Sequence, residues 1–342
     1  MFNIKSKGTR TIDKKTIDSY ELTPFKILMI GASGTGKTSL MACMNEELNN
    51  KDSVGFVFEP DKQADNGDTA KKLTNQLTKL ITKVENLKPG EEFTDNNAIV
   101  GNANQNIYYF KGKSIGEGTF RSKEFHYPIQ FKDVPGGWYT DEKGTHDEDI
   151  EKYIGEAHAF LYCIDTPAMM SGESQHRLFN NAPTVRGWLQ KAALLDSLRG
   201  KSIIFILSRS EAWQCKEHEL KQKFDATYGP DINLLKNAGA AVYMTPVYTL
   251  GGINFCRYGE DNHAVYKKFA SRAATKCGSP LVQLLHDGMN MYEQALQKHN
   301  AKFWTKCQNM AGIKHFDLAE ECARELKLHL ESQLDNSITK YY

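Results

Sequence analysis

The stretch Gly31-Ala32-Ser33-Gly34-Thr35-Gly36-Lys37-Thr38 constrains this chain more than any other. Four residues separate Gly31 from Gly36-Lys37-Thr38, and glycines there let the backbone turn tightly enough for several N–H groups to converge on one anion. The lysine that follows reaches the outer phosphates of a nucleotide, and the Thr38 hydroxyl suits Mg²⁺. The flanks supply the setting this chemistry needs. Phe25–Ile30 is a short apolar run that reads as a buried parallel strand, and Ser39–Leu48 continues without Gly or Pro, as a helix does. Strand, glycine loop and helix in that order make Gly31–Ser39 a phosphate site.

The bulk properties narrow the setting. The chain has 342 residues, a formal net charge of +1 and 40% hydrophobic residues, which suits one large α/β domain with insertions. Near-neutral charge offers no basic stripe for nucleic acid. The seven cysteines include no Cys-x-x-Cys pair, so reduced thiols are expected rather than a disulfide frame or zinc site. No apolar run approaches the ~20 residues of a membrane span. The basic N-terminus lacks the apolar segment of a secretory signal. A cytoplasmic protein is the expectation.

Residues 70 to 87 place Leu73, Leu77, Leu80, Ile81, Val84 and Leu87 at helical spacing, giving one helix inserted after the first. Pro89–Gln105 is polar and aperiodic, so the insertion covers about 60–105. Runs at 106–110 and 125–133, joined by a Gly-rich connector, predict an antiparallel hairpin. Helices and strands then alternate: strands at 158–165, 201–208 and 238–247, helices at 148–157, 184–198 and 216–228, and a further helix from Pro280. The pattern predicts a three-layer α/β fold with a mostly parallel sheet. Its domain spans 24–298, between an N-terminal extension (1–23) and a helical C-terminal extension (299–342). That last reading rests on a stripe of Leu318, Cys322, Leu326, Leu330 and Leu334.

Ligands of such sheets sit at the carboxyl ends of the strands. One strand ends in Asp133-Val134-Pro135-Gly136, where the acid can hold Mg²⁺ through water and the glycine N–H can bond a γ-phosphate. Others end in Ser208-Arg209-Ser210-Glu211 and Thr245-Pro246-Val247. In order and spacing this set resembles the P-loop GTPases of the Ras-like and translation-factor-related class. Asp133-x-x-Gly136 is similar to their second-switch motif, residues 208–211 stand in the place of Asn-Lys-x-Asp, and residues 245–247 in that of Ser-Ala-Lys. Strings such as DVPGGW, FILSRSEAW and TPVYTLGGINF resemble bacterial double-GTPase families of GTPase-associated conflict systems.

The resemblance implies a Mg²⁺-dependent GTPase, a switch or control module of a bacterial multi-protein system. It places Lys37, Asp133 and Gly136 at the reacting phosphate, and Thr38 and Asp133 at the metal. Gly31, Ser33, Gly34, Thr35, Gly36, Lys37, Thr38 and Ser39 would surround the phosphates, with Arg209, Glu211, Pro246 and Val247 at the base. The departures matter as much. Arg209 can stack on a purine, and Glu211 can accept from guanine N1 and N2, one methylene further out than Asp. GTP is expected and ATP stays open. Where Ras-like enzymes carry a water-orienting Gln this chain has Gly137, and no arginine is placed as a finger. Slow hydrolysis is expected, raised by a protein partner or by self-association; His146, Asp147 and Glu148 are the internal substitutes. Thr94 and Thr119 are candidates for the first-switch threonine, and Asp165 reads as a cap or turn residue. A nucleotide-binding scaffold with little turnover and an ATP-using P-loop kinase are the other classes.

Overall fold

Strands covered on both faces must be apolar on both, and the central strands of this chain are. In the computed structural model, which describes residues 24–50, 56–94, 106–116, 123–140, 145–290, 327–328 and 330–342, β1 (Phe25–Ile30) leads through the glycine loop into α1 (Lys37–Asn50). β2 (Phe56–Pro60), α2 (Asp68–Glu85) and β3 (Glu92–Thr94) follow, then the hairpin of β4 (Asn106–Gly116) and β5 (Lys123–Asp133). A 3-10 turn at Gly136–Thr140 and α3 (Asp147–Glu156) precede β6 (Ala159–Asp165). Three helices, α4 (Thr166–Ser171), α5 (Glu173–Asn180) and α6 (Ala182–Leu194), connect to β7 (Ser202–Ser208). A second 3-10 turn (Glu211–Lys216), α7 (Glu217–Asn237) and β8 (Ala241–Pro246) come next. The order closes with β9 (Ile253–Tyr258), β10 (Ala264–Lys268), a helix α8 over 279–290, and β11 (Thr339–Tyr341).

The large sheet has the order β11-β8-β7-β6-β1-β5-β4-β2. Its middle, from β8 to β5, is parallel throughout. The expected hairpin pairs β4 with β5 antiparallel from Asn106↔Asp133 to Gly116↔Lys123. Side chains alternate between two cores, as a period of two requires. Phe25, Ile27 and Met29 of β1 and Leu161 of β6 pack under α1 and α8. Leu28, Ile30, Phe160 and Ile164 pack instead with α3, α6 and α7.

The structure departs from the sequence reading in four places. β2 pairs antiparallel with β4 in a stretch to which no strand was assigned. α7 runs through Gly229-Pro230, where the breaker pair predicts a turn. An interior proline costs about 3 kcal/mol, whereas Leu220, Phe224, Tyr228, Ile232 and Leu235 all bury along the helix, each worth about 1.5–3 kcal/mol. A second sheet, β3-β10-β9, is built from strands whose alternation is broken by a bulge at Val265/Tyr266 or is too short to register. Finally, the described C-terminal residues are helical at 327–328 and 330–332 and then form a strand: β11 pairs with β8, and Tyr341 Oη donates to Asp225 at 2.6 Å. Of the C-terminal stripe, Leu330 and Leu334 pack on the α1 side of the core, and Leu318, Cys322 and Leu326 lie outside the described residues.

Glu47 ties α1 to α8. Its Oε2 accepts from the N–H groups of Cys277 (2.7 Å) and Gly278 (3.0 Å), which lead into α8. Hydrogen bonds to a charged group are worth about 1.5–3 kcal/mol. Glu47→Ala is therefore expected to lose about 2 kcal/mol in urea unfolding with an unchanged m value; an unmoved midpoint would show that the contact holds nothing.

Candidate functional site

Parallel pairing fixes where the strand ends meet. Met29 stands opposite Asp133 of β5, and Ile30 opposite Tyr162 of β6, so the glycine loop opens between these two neighbours. Gly31 has φ +147°, and a Cβ there would lie 2.6 Å from the Cys163 carbonyl oxygen, so only glycine fits. Thr35 Oγ1 donates to Ala32 O at 2.9 Å and closes the loop on itself, while Ser33 and Gly34 form an exposed tip. Lys37 Nζ donates to Gly31 O (2.6 Å) and Ala32 O (3.3 Å) and stands 3.7 Å from Asp133 Oδ1.

Asp133 is buried, and its Oδ1 accepts no hydrogen bond. Burial raises its pKa above the usual carboxylate range, and Lys37 opposes that rise. A buried carboxylate oxygen that stands 3.7 Å from Lys37 Nζ and accepts no hydrogen bond suits a divalent cation, so Asp133, with Thr38 of the loop, would hold Mg²⁺. Among the described residues no three His, Cys, Asp or Glu side chains form an alternative metal cluster. Gly136 belongs to the same place: a Cβ on it would stand 2.4 Å from Ser33 Cα and N. The turn after β5 thus lies directly on the tip of the glycine loop.

Two residues at this end escaped the sequence reading. Tyr108 of β4 is buried, with its hydroxyl hydrogen-bonded to the Thr38 side chain. Gln76 of the inserted helix donates to Ser39 Oγ at 3.0 Å. Only the strand register and the docking of α2 bring them here, and neither carries a sequence signature. Thr94 lies in β3, paired with Val265 in the small sheet, and Thr119 lies outside the described residues. His146 stacks on Trp138 with ring centroids 4.1 Å apart, and Asp147 accepts from Trp188 Nε1 at 3.3 Å.

The opposite end is organised around Arg209, in the left-handed region at φ +58°. Nη2 donates to Gly34 O (3.0 Å) and to Asp165 Oδ2, and Nη1 donates to Tyr266 Oη at 2.9 Å. Asp165 also caps α4, its Oδ1 accepting from Ala168 N at 3.2 Å, as the cap reading anticipates. Ser208 Oγ lies within donating reach of Thr35 O (2.7 Å) and Ile164 O (2.8 Å). Glu211 is placed differently from the base-reading expectation. It is buried, and its Oε1 accepts from Leu250 N (2.7 Å) and Gly251 N (3.1 Å), clasping the loop after β8. Pro246 ends β8, and Val247 is buried with its N–H donated to Leu207 O at 2.9 Å.

No family model and no curated protein matches the chain. Among solved structures it is similar to a chain of the signal recognition particle receptor SRb-GTP/SRX complex from Chaetomium thermophilum. The two share 13% identity and a TM-score of 0.30, over 66% of this chain and 90% of that one. A likeness this slight assigns neither fold nor function.

Burial pushes the Glu211 carboxyl up to about 7, against the pull of its own N–H and those of Leu250 and Gly251. A carboxyl raised above its unfolded value of about 4.3 contributes stability that is full below that value and is lost as pH rises through the folded one. Glu211→Gln keeps an acceptor and cannot ionise. Relative to the native chain it is expected to gain roughly 2–3 kcal/mol between pH 5 and pH 8, a tenfold difference in proton affinity being worth about 1.4 kcal/mol. Urea unfolding at the two pH values measures this, and a difference independent of pH would contradict it.

Proposed function

We propose that the chain binds a nucleoside triphosphate with Mg²⁺ and hydrolyses it slowly, as a conformational switch. The observation that carries this reading is the meeting of Lys37, the buried carboxylate of Asp133 and the backbone of Gly136 at the glycine loop. Each has a role in it. Lys37 gives its charge to the outer phosphate oxygens, and the loop N–H groups bind the inner ones. Thr38 and Asp133 would hold Mg²⁺, which would supply positive charge to neutralise the phosphates. The Gly136 N–H reports the outermost phosphate to the turn that carries Trp138.

Rate follows from what is missing. Gly137 has no side chain to orient a water; of the internal substitutes, His146 and Asp147 are engaged with Trp138 and Trp188, and Glu148 stands exposed in the first turn of α3. Positioning and charge stabilisation supply nearly all the catalysis in phosphoryl transfer. The isolated chain is therefore expected at roughly 10⁻⁴ to 10⁻³ per second, until a protein partner or a second copy supplies the missing group. The same glycine favours a second reading, a nucleotide-binding scaffold without turnover, and single-turnover hydrolysis separates the two.

Lys37→Ala is expected to weaken triphosphate binding at least tenfold, about 1.4 kcal/mol, with unfolding cooperativity retained. Asp133→Asn is expected to raise the Mg²⁺ concentration needed for tight binding. Unaltered affinity in the first variant would remove the phosphate site, and an unaltered Mg²⁺ titration in the second would leave Asp133 a turn residue.

A further inference from the structure

We infer that this site does not single out guanine: Glu211 serves the loop after β8 rather than the base, and purine nucleotides bind with little discrimination. The inference rests on the nucleotide-binding function proposed above.

Guanine differs from adenine at its pairing edge. It offers donors at N1 and N2 and an acceptor at O6, so a site that selects it needs free acceptors, such as a carboxylate, facing N1 and N2 and a free donor facing O6. Here the carboxylate is buried and already accepts from Leu250 and Gly251 on one oxygen. Four N–H groups of the loop are engaged as well. Pro246 has no N–H. Val247 N donates to Leu207 O at 2.9 Å, and Tyr248 N donates to Thr275 O at 3.1 Å. The N–H groups of Leu250 and Gly251 go to Glu211.

To read guanine through Glu211 Oε1 or through these N–H groups, the chain would have to give up these bonds, leaving buried backbone donors unpaired at about 1–3 kcal/mol each. Arg209 is the planar group left at this end, held by Gly34, Asp165 and Tyr266. Its guanidinium offers stacking, which any purine satisfies. A site built to hydrogen-bond a substrate group rejects the analogue lacking it by about 10⁴–10⁵, whereas contact without pairing rejects weakly.

The test is calorimetric titration of the full chain with GDP, ADP and IDP at saturating Mg²⁺, repeated on Glu211→Gln. IDP lacks the N2 donor of guanine. Dissociation constants within about tenfold of one another are expected, with the GDP-to-ADP ratio the same in the variant. A GDP preference beyond about tenfold, or a ratio that collapses in Glu211→Gln, would overturn the inference while leaving the nucleotide site intact. Binding of none of the three would overturn the nucleotide reading itself, and the inference with it. Because Gln keeps an acceptor for the loop, the variant is expected to unfold as cooperatively as the native chain, and its melting curve checks this.

Discussion

One lysine and one carboxylate, 3.7 Å apart beneath the glycine loop, set the terms for this end of the molecule. The register that seats Met29 opposite Asp133 makes their meeting unavoidable. Charges removed from water lose several kcal/mol of hydration each unless neighbours replace it. For Lys37 the replacement is local, through the carbonyls of Gly31 and Ala32. For Asp133 it is incomplete, since Oδ1 lacks a hydrogen-bond donor and its pKa rises. A pair left unequal in this way suits a site that gains charge when it fills. The function proposed above would set anionic phosphate against the lysine and a divalent cation against the carboxylate.

Arg209 gives the other end its rigidity. One side chain touches the tip of the glycine loop, the acid that caps α4, and a tyrosine of the small sheet. From Asp165 the bonding continues to Asn180, whose Oδ1 accepts from Asp165 N at 2.6 Å, and on to His176. The β3-β10-β9 sheet, the α4–α5 connection and the glycine loop are thereby joined by polar contacts rather than by apolar packing alone. Hydrogen-bond networks of this kind specify one arrangement, and leave a penalty at every member when one is removed.

What the sequence disclosed and what it hid have separate physical causes. The glycine loop, the parallel strands around it and the β4–β5 hairpin were legible because burial on both faces writes continuous apolar runs, and because a tight loop needs glycine at fixed points. β2, β9, β10 and β11 were not, since short edge strands and a bulged hairpin leave no clean period of two. Pro230 misled because its local cost is visible in the sequence, whereas the burial that outweighs it is not. The sequence singles out Arg209 and Glu211 by position and assigns them to a base, but their partners come from residues 34, 165, 250, 251 and 266, which only the folded chain assembles. Tyr108 and Gln76 were missed for the same reason.

Coupling between the outermost phosphate and the turn after β5 is the central claim, and Trp138 is placed to report it. Gly136 abuts Ser33 of the glycine loop, and Trp138, two residues on, stacks against His146. The decisive measurement is the emission of Trp138, taken as native chain minus Trp138→Phe. It is recorded with saturating Mg²⁺ and either a nucleoside diphosphate or a non-hydrolysable triphosphate analogue. Coupling predicts that the triphosphate analogue shifts or quenches this emission and the diphosphate does not. Identical spectra with the two ligands, both bound at saturation, would contradict it.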